Sequence, residues 1–554
     1  MKKHNTLLVV FFTILFVCLL TWILPITYLN GEFMSDVRHP IGINELFRYP
    51  VYTFYNFIYI LVYLLVIGGF YGVLAKTGAY RLIVDKIVKF VKGKEILFLI
   101  PTVLIIGLIV SFTGFTFEAL IFLPMLASVI FLLGYDKITV AMTTIGSIAV
   151  GIIGTTFSSI VAGTFNSILG IEYQELWLVK LLLLVMSAVI LIVNIVLHNR
   201  DKEPSSKIEE NIFIPEKVRE KYIRIWPLAV ILGVTFVILI MSTIAYKEAF
   251  GINFFDTSLQ SLLAYRILDK YIVLGVSLIV VLYNVIRYVL KRKSLKKDKK
   301  EESFIKIFGK LRLIITGIFA IIFVIVLSKL LLEDVFKVTT IFTKVLSTIK
   351  LDSFINWFTF SRILGGVGAF GTWTYNEYIT LLLVVTFIIK FVYSVELDEL
   401  FDGYLEGSRK FASATMIALL SYTILIMVSN HPVVLTALKP LLLLTDGLNN
   451  LTLSLSTFVA ALFNTDFTYY QYGVLTLNYV TAYITDTSVY PLCAIITQSM
   501  YGLAILVAPT SVVMLFSLTT LKISYFEWLK NIWKLFVELL VVLLITFMII
   551  LLVI

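Results

Sequence analysis

Two stretches place small, hydroxylated and acidic residues inside otherwise apolar sequence: Ser111-Phe112-Thr113-Gly114-Phe115-Thr116-Phe117-Glu118 and Gly154-Thr155-Thr156-Phe157-Ser158-Ser159. Two more lie towards the other end of the 554-residue chain, Asn464-Thr465-Asp466-Phe467-Thr468 and Ala508-Pro509-Thr510-Ser511, with Gln498 shortly before the last. A helix broken at such a sequence presents unpaired N–H groups and a partial positive end from one half, which favour a carboxylate. The other half presents carbonyl oxygens, which together with hydroxyls suit Na⁺. Ser111, Thr113, Thr116, Thr155, Thr156, Ser158, Ser159, Thr465, Thr468, Thr510 and Ser511 supply the hydroxyls. Any one of them is more simply read as bonded to its own backbone or a neighbouring helix; their clustering at four breaks is what points to a binding site.

Glu118 is the sharpest single residue. A carboxylate near mid-bilayer costs at least about 2.5 kcal/mol on insertion scales, so it is expected to be protonated, paired or turned to a wet cavity. Its candidate roles are proton carrier, ion ligand or substrate contact, against the plainer reading of a carboxyl hydrogen-bonded within its own hairpin. Asp466 carries the same argument at the other tip. Two acids facing each other would suit a cationic substrate or proton coupling better than a simple dianion.

Composition sets the class around these residues. Sixty per cent apolar residues, 14% charged residues and a mean hydropathy of +0.99 exclude a soluble globular chain of ordinary composition and imply a polytopic membrane protein. The net charge of +10 is concentrated in connections between apolar runs, so no nucleic-acid partner is implied. Cys18 and Cys493 form no framework or metal set, and His4, His39, His198 and His431 are scattered. The sequence has no His-Glu-x-x-His, no Gly-x-Ser-x-Gly and no Gly-x-x-x-x-Gly-Lys-Ser/Thr, so neither an enzyme nor an ATP-driven pump is expected. The basic start and first apolar run read as a retained first helix, not a cleaved leader.

Apolar runs of about 20 residues, the length that crosses a ~30 Å hydrocarbon core, occur near 6–28, 52–74, 177–197, 226–246, 271–290, 312–332, 377–394, 411–429 and 530–554. Basic connections at 76–94, 199–224 and 291–312 are expected in the cytoplasm, with the N-terminus beside them and the C-terminus outside. Parity then makes 95–134 a re-entrant hairpin, 137–171 a helix broken at Gly154, 451–487 a second hairpin entering from outside, and 489–521 a helix broken at Pro509. The order helix, helix, connector, hairpin, broken helix, helix thus occurs twice in opposite orientation, as in carriers built from inverted-topology repeats.

The run Leu74-Ala75-Lys76-Thr77-Gly78-Ala79, with Lys92-Gly93-Lys94-Glu95, Pro124, Leu133-Gly134-Tyr135-Asp136 and Gly154-Thr155-Thr156, resembles the YfcC-like branch of the anaerobic four-carbon dicarboxylate carriers. Asp402-Gly403-Tyr404-Leu405-Glu406-Gly407, Gln498, Pro509-Thr510-Ser511 and Ile523-Ser524-Tyr525-Phe526-Glu527-Trp528 look like its second half. The resemblance covers about 70–200 and 395–535.

It implies an all-α secondary carrier of the ion transporter superfamily, with an elevator-type architecture and a homodimeric state. Scaffold parts would be 1–94 and 377–450, transport parts 95–171 and 451–521, linking parts 172–376, and a closing helix 522–554. The chain departs from that family at Ser158-Ser159, at Thr468-Tyr469-Tyr470-Gln471-Tyr472, and at Tyr501 and Ile505.

The expected function is movement of a small carboxylate-bearing metabolite, dicarboxylate or amino acid, coupled to Na⁺ or H⁺, with no other cofactor. The alternatives are a basic amino acid exchanger of the same fold and a non-transporting scaffold descended from a carrier. Lys180 and His198 are expected to snorkel or sit at the interface, Tyr469–Tyr472 to anchor there, and 291–303 to be a solvated face. Segments 76–94 and 395–410 are expected to lie along the membrane as amphipathic arms.

Overall fold

The computed structural model describes residues 5–29, 32–172, 175–200, 223–244, 266–297, 309–329, 368, 370–442, 448–466, 476–477, 480–481 and 484–553. The chain divides into two compact units, residues 1–252 with 370–554, and residues 253–369. In the smaller unit the helices α11 (Arg266–Lys297) and α12 (Lys310–Lys329) pack on each other.

The larger unit is helical apart from a two-stranded antiparallel ribbon, β1 (Ile26–Leu29) and β2 (Glu32–Val37), which follows Pro25 and ends the first helix, α1 (Asn5–Ile23), short of the expected residue 28. Its N-terminal half continues with α2 (Ile43–Lys76), α3 (Ala79–Val91), α4 (Ile96–Thr113), α5 (Leu123–Leu132), α6 (Lys137–Ala141), α7 (Ser147–Ile153), α8 (Ser159–Leu169), α9 (Trp177–Asn199) and α10 (Trp226–Met241). After the smaller unit come α13 (Tyr375–Tyr393), α14 (Leu397–Asn430), α15 (Val433–Leu442), α16 (Asn450–Ala461), α17 (Tyr490–Ile505), α18 (Val512–Thr520) and α19 (Tyr525–Val553).

Seven of the described helical stretches are long and apolar enough to cross a membrane: α1, α2, α9, α13, α14, Thr487–Ile505 and Tyr525–Leu552. The chain is an all-α polytopic membrane protein. Of the other expected crossings, α10 covers 226–241, α11 spans 271–290 and α12 covers 312–329.

Segment 395–410 is not a separate arm. It is the first half of the continuous 34-residue helix α14, since nothing between Leu397 and Asn430 breaks helical geometry. Segment 76–94 does form its own amphipathic helix, α3. The expected external segment 431–450 contains α15, whose Val433, Val434, Leu435 and Leu438 are buried.

The pair that holds the larger unit together is α2 against α14, running antiparallel. Gly68 and Gly72 face Gly403 and Gly407, with Gly69 against the Tyr404 ring, and the backbones touch: a Cβ on Gly72 would overlap the Gly403 carbonyl oxygen, and one on Gly407 would overlap that of Gly68. In lipid, where apolar side chains gain nothing by leaving solvent, this close approach of small residues is what makes two helices adhere. Ser408 adds a bond from its hydroxyl to the Leu65 carbonyl (3.0 Å), and the Thr53 and Thr423 hydroxyls meet at 3.1 Å. Further along the same pair, the Phe57 ring stacks on Tyr422 at 4.3 Å where α2 kinks.

At one end of the pair two histidines far apart in sequence are brought together. The His431 Nδ1–H donates to the His39 carbonyl (2.6 Å), so its Nε2 accepts from the Tyr49 hydroxyl (2.6 Å), and the two imidazoles lie 4.8 Å apart. Burial holds the His431 imidazole below its ordinary pKa, against the raising effect of its bond to the His39 carbonyl.

Stability measurements test both contacts. Gly72→Ala or Gly407→Ala forces α2 and α14 apart and costs about 1–3 kcal/mol or more, while Gly233→Ala, with open space around it, leaves the melting temperature in detergent unchanged. Because the folded state depresses the His431 pKa, its contribution is complete above the unfolded value of about 6.5 and is lost as pH falls below it. The melting temperature therefore drops on acidification from about pH 7 to about pH 5, and His431→Phe lowers the curve but flattens that drop.

Candidate functional site

The first break begins where α4 stops. Gly114 takes a left-handed conformation (φ 74°), and its N–H donates to the Val110 carbonyl at 2.7 Å, closing the helix. The chain then turns through Phe115 and Thr116 into a tight 3₁₀ turn, Phe117–Phe122, and returns as α5. Tyr135 at the far end of this excursion lies within electrostatic range of Glu95 at its start, so both arms end on one side, as a re-entrant hairpin requires.

The second break separates α7 from α8 and is preceded by a π-helical turn, Met142–Gly146, which no sequence signal foretold. Ser158 caps α8, accepting from the N–H groups of Ile160 and Val161 at 3.2 Å. Ser159 opens that helix.

These two breaks satisfy each other. The Ser111 hydroxyl donates to the Gly154 carbonyl (2.6 Å), the Thr156 N–H to the Ser111 carbonyl (2.9 Å), and the Ser158 hydroxyl to the Thr113 carbonyl (2.9 Å). Gly114 is required by this contact as well as by its φ, because a Cβ there would collide with the Ser158 hydroxyl. The C-terminal half supplies the remaining donors: Gln498 on α17 reaches the carbonyls of Ile153 (3.1 Å) and Thr155 (3.2 Å) through its amide.

The third and fourth breaks are joined in a similar way. α16 ends near Leu462, whose carbonyl accepts from the Thr510 hydroxyl at 2.9 Å. Pro509 lies between α17 and α18 and Ser511 caps α18, accepting from the Met514 N–H at 3.3 Å. At the tip, the Asp466 N–H donates to the Asn464 side-chain oxygen (2.9 Å) and the Asn464 amide to the Asp466 carbonyl (3.1 Å). Thr468 and Tyr469–Tyr472 lie outside the described residues.

Both acids are buried, Glu118 at 4% and Asp466 at 6% exposure, and the charge of Asp466 acts on Glu118. Each is held by a tyrosine. The Tyr375 hydroxyl donates to Glu118 Oε1, and the Tyr422 hydroxyl to Asp466 Oδ2 at 2.7 Å. Glu118 Oε2 accepts from the Thr116 N–H (3.0 Å), and the Glu118 carbonyl from the Tyr63 hydroxyl (3.0 Å). Tyr375 is fixed by the capping box of α13, where Glu377 accepts from Thr374, and its ring is clamped between Tyr59 (5.0 Å) and Phe117 (5.2 Å). Tyr63, Tyr375 and Tyr422 carried no motif; only their place within spans facing the breaks could have singled them out.

The hydroxyls divide into two groups. Thr113 and Thr155 bond carbonyls three or four residues back on their own helices, and Ser111, Ser158, Thr510 and Ser511 bond or cap other segments as described. Thr116 and Thr465, one at each tip beside an acid, are buried at 8% exposure and make no side-chain hydrogen bond among the described residues.

Lys180 does not snorkel: it is 3% exposed. It lies one turn before Leu184, whose backbone sits against Gly154, because the close approach of α9 to the second break takes that face of the helix away from lipid. The His198 Nε2–H donates to Asp136 Oδ2 at 3.1 Å, beside the cap of α6. No cluster of three metal-ligating side chains occurs among the described residues. A cavity of about 1250 Å³ reaches Leu462, Phe463 and Pro509 at the third and fourth breaks and is lined by neither of the two acids.

Interrupted helices that close on one another in a multi-pass membrane protein, with two buried acids at their tips, are the arrangement from which membrane carriers are built. The chain belongs to the DcuC family, described as C4-dicarboxylate anaerobic carrier, which it matches over residues 4–351. A curated protein of Haemophilus influenzae, described as an uncharacterized protein, is 30% identical over 110 residues, 20% of this chain and 21% of that protein. The match thus spans about a fifth of that relative's length. No solved structure matches the chain. The family is one of carriers, not of enzymes.

Gln498→Leu tests whether the breaks depend on partners from the other half. It removes the amide donor from the Thr155 carbonyl and leaves the Ile153 carbonyl with the Ser499 hydroxyl at 3.3 Å, and is expected to cost about 1–3 kcal/mol of stability, read as a lowered melting temperature; an unchanged one would show that the Thr155 carbonyl finds another donor.

Proposed function

We propose that this chain is a secondary active transporter that carries a small carboxylate-bearing metabolite, a dicarboxylate or an amino acid, across the cell membrane at the expense of an H⁺ or Na⁺ gradient. The observation that carries the reading is the pair Glu118 and Asp466, brought from opposite halves of the chain into one buried site, each on a tyrosine hydroxyl and next to an unused threonine. Two carboxylates removed from water are held most cheaply with a proton shared between them or a cation beside them. The carbonyls at the first two breaks already accept from Ser111, Ser158 and Gln498, which supports H⁺ over Na⁺ as the coupling ion.

The half-helix ends supply the complementary electrophilic surface for a carboxylate. The acid pair also favours a substrate that carries a cationic group with its carboxylate, so a basic amino acid exchanger is the second reading. The two interlocked pairs of breaks support inverted-topology repeats, and the extended α2 and α14 support a fixed scaffold against which an elevator-type transport part moves, in a homodimer. The basic connections support an N-terminus in the cytoplasm and a C-terminus outside.

Glu118→Gln is the test. Reconstituted in proteoliposomes with imposed proton or Na⁺ gradients, and given the substrate class found by a thermal-shift screen of dicarboxylates, amino acids and keto acids, the variant is expected to lose or uncouple uptake while folding normally. Uptake and pH dependence equal to wild type would remove Glu118 from the site. A wild-type protein that never responds to either gradient would favour a scaffold.

A further inference from the structure

The cavity behind the fourth break has a form that the transport site does not account for. One wall is a single stripe of α1, with Leu8, Phe12, Phe16 and Leu20 at helical spacing. The first three are 43%, 62% and 53% exposed, large apolar side chains left open among the described residues. The opposite wall is built from α15, α16 and the start of α19, including Ala437, and the floor reaches Pro509. From Asn5 to Leu20 the stripe is about 22 Å long at the helical rise, enough to lie along an acyl chain crossing the ~15 Å of one hydrocarbon leaflet, and at its Asn5 end the Thr6 hydroxyl meets that of Thr519, three residues before Lys522, at 2.9 Å.

That end is where the charge lies. Lys137 and Lys522 line it together with Asn5 and Ser524. The Lys137 ammonium is already engaged, with Glu527 and the Lys522 carbonyl at 3.3 and 3.4 Å. Lys522 makes no ion pair among the described residues. An apolar trough of this length would not hold water; with an uncommitted ammonium at its headgroup end it fits one acyl chain joined to an anion.

We propose that this groove binds one anionic phospholipid, its acyl chain along the α1 stripe against Ala437 and Pro509 and its phosphate at Lys522. Neither Glu118 nor Asp466 lines the groove, so it does not depend on what the carrier transports. A chain seated there packs against the Leu462 and Pro509 segments whose bond closes that break, which puts lipid occupancy in contact with the tip that carries Asp466.

The test is native mass spectrometry of the full chain, purified after incubation with vesicles of equal parts phosphatidylglycerol and phosphatidylcholine with identical acyl chains. Wild-type protein is expected to retain one phosphatidylglycerol in preference to phosphatidylcholine. Lys522→Gln lowers that preference about fivefold, and Ala437→Trp, which fills the groove and leaves Lys522 in place, lowers retention of both lipids. Lys522 is exposed, so its variant remains informative even where the tryptophan variant does not fold. Equal retention of the two lipids by wild type, retention unaffected by Lys522→Gln, or displacement of phosphatidylglycerol by an equimolar fatty acid would overturn the proposal.

Discussion

In hydrocarbon a peptide group has no water to turn to, and a helix that stops there must find another partner for every N–H and C=O it exposes. This chain stops four times within its membrane-embedded core, and each stop is closed by another. The Ser111, Thr156 and Ser158 bonds close the first pair, Thr510 closes the second, and Gln498 reaches from the second pair to the first. The broken helices are therefore not free ends lining an open channel. They form one bonded unit in which the chemistry of the site and the stability of the fold draw on the same atoms.

This mutual closure sorts the polar residues. Hydroxyls that complete a backbone are committed, and so are most carbonyls at the breaks. What is not committed in this way among the described residues is narrow: the hydroxyls of Thr116 and Thr465, and beside them the carboxylates of Glu118 and Asp466 on their tyrosines. The tyrosines come from α13 and α14, and α14 is locked to α2 by glycine contacts too close for any side chain. The rigid pair thus fixes a donor for the tips, so that a change at either acid is felt on the helices least able to move.

Much of this was legible in the amino-acid sequence. The breaks at Gly114, Gly154 and Pro509 stand out because small and hydroxylated residues interrupt apolar runs, and the resemblance to the carriers rested partly on residues around them; the family match, over residues 4–351, covers the first two breaks. Charge and length placed most spans, since a run of about 20 apolar residues has few other uses. Pairwise geometry was not legible. Tyr375 and Tyr422 look like any aromatic in a span, and His39 and His431 look scattered until α2 and α14 pair. Lys180 looks interfacial until α9 closes on Gly154. The spacing of Gly68, Gly72, Gly403 and Gly407 was a readable signal of close helix packing, overshadowed by the polar breaks. Segment 395–410 misled because an amphipathic start and an apolar continuation belong to one helix.

The proposed transport requires that the tips from the two halves share one site. A double-mutant cycle between Glu118→Gln and Asp466→Asn, read as unfolding free energy in detergent, measures that sharing. Neighbouring acids with a shared proton or counter-charge must couple, so the two changes together are expected to differ from the sum of each alone by at least about 0.5 kcal/mol. Strict additivity, the behaviour of residues far apart with no common partner, would separate the two tips and remove the shared site.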